Sequence, residues 1–328
     1  MVLLTNTILK DSYLKNNFCT LFDSNFLLYG LALYESLQKH CKDFHLYVFA
    51  FDDECYKTLT KLNLANLTVI SLAEFEDPQL LAIKPSRTRG EYCWTCSSST
   101  ILYCLKRYNL SACTYLDADL YFYNDPSVLI DEMKDNDVLI TEHRYTPRYN
   151  QSTTSGIYCV QFMTFKNTEN GLKILNWWRN ACIEWCYNRF EDGKFGDQKY
   201  LDDWTSRFSR VHVLEHLGGG VAPWNLQQYK LLPDYKLANI KTSKHFNLIF
   251  FHFHDIKIIN NVIHHINLLS YDKSFCFFNK IYIPYIKTIN IIINKFNLEN
   301  QRIKTPYFKL FLYILRKQAA KVKHGIFN

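Results

Sequence analysis

Asp117-Ala118-Asp119 sets two carboxylates one residue apart at the end of the apolar run Thr114-Tyr115-Leu116, with Leu120 to Tyr123 and then the turn signal Asn124-Asp125-Pro126 behind them. Carboxylates this close repel one another unless a cation lies between them. Their oxygens suit hard divalent ions, Mg²⁺ or Mn²⁺, which in turn hold phosphate oxygens. The spacing therefore predicts a metal–diphosphate site at a strand end, against the plainer reading of a solvated turn. His252 and His254 alternate within Phe250-Phe251-His252-Phe253-His254-Asp255. On a strand both point to one face, and either can supply a further protein ligand. An imidazole in the set favours Mn²⁺ over Mg²⁺.

Other residues with chemistry cluster at breaks in the pattern. Asp23 and Asn25 follow the apolar Phe18–Phe22 run and suit a nucleobase edge or ribose, or equally a helix N-cap. Asp197 and Gln198 follow Gly193 and Gly196. A carboxylate there holds sugar hydroxyls or acts as a general base, with a helix cap as the competing role. Gly218-Gly219-Gly220 leads to Trp224 and Asn225. That loop allows close backbone approach to a ligand, or is a flexible connector; Trp224 suits stacking on a sugar. Cys93-Trp94-Thr95-Cys96 has no second pair at zinc-finger spacing, so core thiols are expected instead.

These candidates need elements to position them. Phe18–Phe22, Phe44–Phe51, Leu67–Leu72 and the run into Asp117 read as strands. Helical patterns separate them, one up to His40 and one from Trp94 to Tyr108. Such alternation predicts an α/β fold with a mostly parallel, doubly wound sheet flanked by helices, whose ligands sit at the carboxyl ends of strands. Asp23, Asp52 and the Asp117/Asp119 pair all fall at such ends. Of the 328 residues 48% are apolar, ample for a core. Eleven cysteines without framework spacing suit a reducing cytoplasm. The first ten residues show neither a basic region nor an apolar stretch of a signal peptide, and no run reaches the ~18 apolar residues of a spanning helix.

Together these residues resemble a nucleotide-sugar glycosyltransferase of the GT-A (Rossmann-like) fold, with family 8 enzymes, such as glycogenin and bacterial lipopolysaccharide galactosyl- and glucosyltransferases, as the expected relatives. The likeness spans residues 17 to 256. Asp23-Ser24-Asn25 is similar to that family's Asp-x-Asn-Tyr opening, with Phe26 at the tyrosine position. Leu116-Asp117-Ala118-Asp119 resembles its Leu-Asp-x-Asp metal motif. Ser155-Gly156-Ile157 resembles the segment touching the donor sugar, Gly196-Asp197-Gln198 the Asp-Gln pair facing sugar and acceptor, and His252 the late metal ligand. In two places the chain departs from the pattern. Ser99 and Thr100 stand where a basic residue belongs, and no Lys-Pro-Trp follows the late histidine. The resemblance implies that Asp119 binds the metal directly and Asp117 bridges metal and ribose. It also implies transfer of a hexose, most naturally from a UDP-sugar, to a surface-glycan, lipopolysaccharide-type or lipid-linked acceptor, with retention at the anomeric carbon; inversion with Asp197 as base stays open.

Net charge is +7 and unevenly placed. Arg302, Lys304, Lys309, Arg316, Lys317, Lys321 and Lys323 lie after Asn300 with no acid among them. Removing those seven from the 38 basic residues leaves a body that matches its 31 acidic ones. A neutral body argues against a nucleic-acid partner. Phe308, Phe311, Leu312, Leu315, Ala319 and Val322 give the tail an apolar helical face suited to an anionic membrane surface. We therefore expect a catalytic domain over 1–270 and a helical, basic, membrane-associating appendage over 271–328. The protein is then cytoplasmic and peripheral on the cytoplasmic face of the membrane. Two other classes fit less of the sequence: a catalytically inactive GT-A-like nucleotide-sugar binder, and a phosphatase with an Asp-x-Asp nucleophile, which needs its motif on the first strand and followed by Thr or Val, not Leu120.

Overall fold

Strand β1 (Asn16–Phe22) opens a succession of strands and helices in a computed structural model that describes residues 16–259, 262–266, 271–272 and 274–298. Strands β2 (Phe44–Ala50), β3 (Leu67–Ser71) and β4 (Ala112–Leu116) follow, then the short β5 (Leu120–Phe122), β6 (Val138–Glu142), β7 (Tyr158–Lys166) and β8 (Val211–Val213). Seven of them form one sheet in the order β3-β2-β1-β4-β7-β6-β8. β7 alone runs antiparallel to its neighbours, so the sheet is mostly parallel, as expected.

The sheet is buried on both faces, which is why its strands read as continuous apolar runs. Phe18 and Phe22 of β1 join one apolar layer with Leu31, Leu33 and Leu37 of the helix Leu27–His40. Cys19 and Leu21 join the other, with Cys96, Ile101 and Leu105 of the helix Arg89–Arg107. Side chains in the turns fix the helix starts. Asp52 Oδ1 accepts from the Cys55 amide at 2.8 Å. Thr88 and Glu91 form a capping box that starts the Arg89–Arg107 helix five residues before the expected Trp94. A small sheet of β9 (Tyr229–Leu231), β10 (Lys236–Asn239) and β11 (His245–Asn247) precedes β12 (Phe250–His252), which pairs antiparallel with β5.

Two boundaries differ from expectation. β12 stops at His252, so His254 stands in the turn beyond it. The helix Ile283–Lys295 lies past the boundary expected at residue 270, yet Tyr285, Ile286, Ile289 and Ile293 are buried in the same apolar layer as the Leu27–His40 helix. Tyr285 stacks on Phe253 with ring centroids 3.7 Å apart, and the Tyr282 hydroxyl donates to Asp255 at 3.1 Å. That helix is part of the same core as the Leu27–His40 helix. The basic segment after Asn300 lies outside the described residues.

Candidate active site

β4 ends at Leu116, and the chain turns through Asp117-Ala118-Asp119 into β5. The Asp117 amide is held by the Gln161 carbonyl at 3.0 Å, and the Asp119 carbonyl accepts from the Phe253 amide at 2.9 Å. Because β5 pairs with β12, His252 is brought across to the carboxylates. Its Nε2 lies 3.0 Å from Asp119 Oδ1 and 3.8 Å from Asp117 Oδ2. Its Nδ1 is 2.8 Å from Gln161 Oε1. An amide oxygen only accepts, so Nδ1 carries the proton and, in the neutral ring, Nε2 turns its lone pair toward the acids. Donor atoms of Asp119, His252 and His254 all lie within 4.8 Å of one another. His254 is exposed while His252 is buried.

The electrostatics show what this arrangement demands. Burial alone would depress His252, but Asp119 and then Asp117 hold it well above its usual value. Asp119 moves the opposite way: partial burial would raise it, and the imidazole beside it holds it below the usual carboxylate value. Asp117 is pushed up to about 6 by desolvation and by Asp119, against the pull of His252. Among the described residues, a proton on His252 is thus the positive charge in direct contact with the Asp119 carboxylate, at a spot where two oxygens and an imidazole nitrogen converge. That donor set fits a divalent cation of the Mn²⁺ type.

The surrounding residues divide into those facing this point and those spent elsewhere. Asp197 is 5% exposed, and burial together with the Asp117 charge pushes it up to about 7, against a hydrogen bond from Ser97. Gln198 beside it is half-buried. Ser155 is half-buried, with its hydroxyl 3.3 Å from Gln151 Oε1. Gly156 takes φ +105, and a Cβ there would meet Asp202 Oδ1 at 3.1 Å. Trp224 is buried; its ring packs edge-on against His252 (5.2 Å) and His254 (5.6 Å), and its indole N–H donates to the His143 carbonyl at 2.9 Å. Asn225 is fully buried, its amide donating to the His143 and Gly220 carbonyls at 2.8 Å each while its oxygen accepts from Ala222. These bonds tie the loop that seats Trp224.

The triglycine likewise approaches its own chain. A Cβ on Gly218 would lie 1.9 Å from the Asn247 carbonyl oxygen, and one on Gly219 2.6 Å from Leu214.

Asp23 and Asn25 sit at the end of β1, next to β4. Asp23 Oδ1 caps the turn, accepting from the Asn25 amide at 2.8 Å and the Phe26 amide at 3.2 Å. Its Oδ2 meets Arg89 Nε at 2.5 Å, and Arg89 Nη2 reaches Asp52 Oδ2 at 2.7 Å. The side chain of Asn25 is exposed. Arg89 was missed in the sequence because it lies ten positions upstream of Ser99, where a cation was sought; the capping box Thr88-x-x-Glu91 marks that helix start. Ser99 instead accepts from buried Arg179 at 3.0 Å, which also binds Gln79 and Asp77. Gln161 was missed too, since nothing in a buried strand's sequence points one amide at a histidine 91 residues away.

Comparison with known proteins places this site in a family. No protein-family model matches the chain. The Bacillus subtilis (strain 168) uncharacterized protein YfnD is 30% identical over 276 residues, covering 82% of this chain and 87% of its own length. The chain belongs to the YfnD family. YfnF of the same organism is 30% identical over 251 residues, covering 74% of this chain and 82% of YfnF. Among solved structures, the apo-form glycosyltransferase GlyE of Streptococcus pneumoniae TIGR4 is 12% identical with a TM-score of 0.50, covering 87% of this chain and 64% of GlyE. At that identity the likeness speaks to fold: this YfnD-family member has the GT-A-like α/β fold of a glycosyltransferase.

Proposed function

We propose that this protein is a metal-dependent glycosyltransferase that moves a hexose from a nucleotide-diphospho-sugar, UDP-hexose first among them, to a surface-glycan or lipopolysaccharide-type acceptor. The observation that carries the reading is the convergence of Asp117, Asp119 and Nε2 of His252 at a strand end, with Nδ1 of the ring held by Gln161. Asp119, His252 and His254 would hold Mn²⁺ (or Mg²⁺), with the Asp117 carboxylate beside them. Bound there, the cation neutralises a diphosphate and eases its departure.

The chain's own residues do the rest. Asp23 and Asn25 at the end of β1 receive the nucleoside, and Arg89, half-exposed beside Asp23 and Asp52, offers a guanidinium to the same pocket. Ser155 and Gly156 border the sugar. Asp197, held near a pKa of 7, can keep or release a proton at neutral pH while binding sugar hydroxyls, and Gln198 adds an amide beside it. Retention at the anomeric carbon follows the family 8 resemblance, with Asp197 as base in the inverting alternative. The fold likeness to GlyE supports the reading without identifying donor or acceptor. The test is release of UDP from a panel of UDP-hexoses by the purified protein. Turnover with Mn²⁺ that stops in EDTA is expected; no turnover or binding with any nucleotide-sugar contradicts the proposal.

A further inference from the structure

Cys159 has no part in the account above, yet it stands at the same cation cluster. β7 carries Cys159 and Gln161 two residues apart, so both present to one face. Gln161 uses that face to hold His252 Nδ1, and Cys159 brings a thiol near the same ring. One donor atom from each of Asp117, Cys159 and His252 lies within 4.8 Å of the others. Cys159 is 4% exposed, packed with Ala222 and Trp224.

A sulfur, an imidazole nitrogen and a carboxylate oxygen make a mixed set of three protein ligands, the number that catalytic zinc sites draw from the protein. Ligand atoms around tetrahedral zinc stand ~3.6 Å apart for bonds of ~2.3 Å to sulfur and ~2.1 Å to nitrogen, so the trio closes by about an ångström at most. Thiolate selects soft or borderline ions, whereas Asp119 and its oxygen neighbours select hard ones. The cluster thus has two faces that share Asp117 and His252.

We propose that Asp117, Cys159 and His252 form a binding site for a thiophilic divalent cation, with Zn²⁺ as its probe, and that zinc held there excludes the cation that binds the nucleotide. Binding forms Zn–S, Zn–N and Zn–O bonds, and the thiol proton and the proton on His252 Nε2 leave to solvent; no electron transfer is involved. The exclusion rests on the function proposed above, whereas zinc binding itself does not.

The test is X-ray absorption at the zinc edge on the full-length protein with one equivalent of Zn²⁺. One sulfur neighbour at ~2.3 Å with nitrogen and oxygen neighbours is expected. No sulfur overturns the proposal. So does a shell of three sulfurs, which would put the ion at the buried trio Cys19, Cys104 and Cys113, whose sulfurs also lie within 4.8 Å of one another. In Cys159→Ser, zinc affinity should fall about tenfold or more relative to manganese affinity; an unchanged ratio overturns the site. Should that variant fail to fold, the sulfur count of the unmodified protein decides alone. Zinc that binds through one sulfur but leaves Mn²⁺-dependent UDP binding intact overturns the exclusion. If the protein binds no nucleotide at all, the sulfur count still reads the site, so the two failures are separable.

Discussion

At the scale of single residues, the site works by setting the protonation of one imidazole. Gln161 contributes nothing to a cation directly, but its oxygen holds the proton on His252 Nδ1 and so makes Nε2 the nitrogen that faces the carboxylates. Partners of this kind are worth roughly 10–100-fold in metal affinity. Gln161→Leu should therefore weaken Mn²⁺ binding by about that factor, read by calorimetric titration, while β7 stays formed; an unchanged affinity would show that the ring needs no such holder. His252→Ala should raise the Mn²⁺ concentration for half-maximal UDP binding far more than His254→Ala does, because His252 is buried against Asp119 and His254 is exposed; equal shifts would contradict this. Asp197 yields a prediction with a definite sign. Its folded value, about 7, lies above the ordinary 3.8. The unfolded chain thus releases that proton first, and the native state loses stability as pH rises from about 4 to about 7. Replacing the carboxyl by an amide removes the penalty. The melting temperature of Asp197→Asn relative to the unmodified protein should climb across that window and level off above it. A flat difference would mean that Asp197 ionises normally.

At the scale of elements, strand ends and tight turns carry the site. Gly218 shows how little room the late loop has: an added methyl meets a backbone carbonyl oxygen that cannot rotate away. Gly218→Ala should lower the unfolding free energy by about 1–3 kcal/mol, the range of an overpacked core, seen as a lower urea midpoint with an unchanged slope; an unmoved midpoint would make the loop the flexible connector of the alternative reading. The sheet, the strand end at Asp117 and the placement of Asp23 were legible in the sequence because buried parallel strands announce themselves as apolar runs that stop at polar residues. The arrival of His252 was legible only as a motif, since its approach depends on the β5–β12 pairing, a contact between segments far apart in the chain. Arg89 and Gln161 left no local signal of their role: one is a charged residue in a helix's first turn, the other a polar residue in a buried strand. The bonds of the Asn225 amide to the His143 and Gly220 carbonyls left no signal in the sequence, because they too join residues brought together only by the fold.

At the scale of the whole molecule, the core extends further along the chain than the charge pattern suggested. Tyr285 is buried against Phe253, one residue from His252. Tyr285→Ala should cost about 3–5 kcal/mol and weaken Mn²⁺-dependent UDP binding with it; a small loss of stability would mean that the 283–295 helix is an accessory. Truncation after Asn300 leaves that helix intact and removes the whole formal charge excess. The truncated protein should keep UDP binding but leave anionic vesicles, to which each basic residue near the surface adds about 1 kcal/mol; retention on vesicles would place the membrane contact elsewhere. What unites these scales is one point in space, where Asp117, Asp119 and His252 converge and where we propose that a cation holds a diphosphate. Calorimetric titration of UDP into the full-length protein, with and without Mn²⁺ and beside Asp119→Ala, tests it most directly. The account predicts binding that requires Mn²⁺ and is lost in a folded Asp119→Ala protein. Tight UDP binding in EDTA, or undiminished binding by the variant, would contradict it.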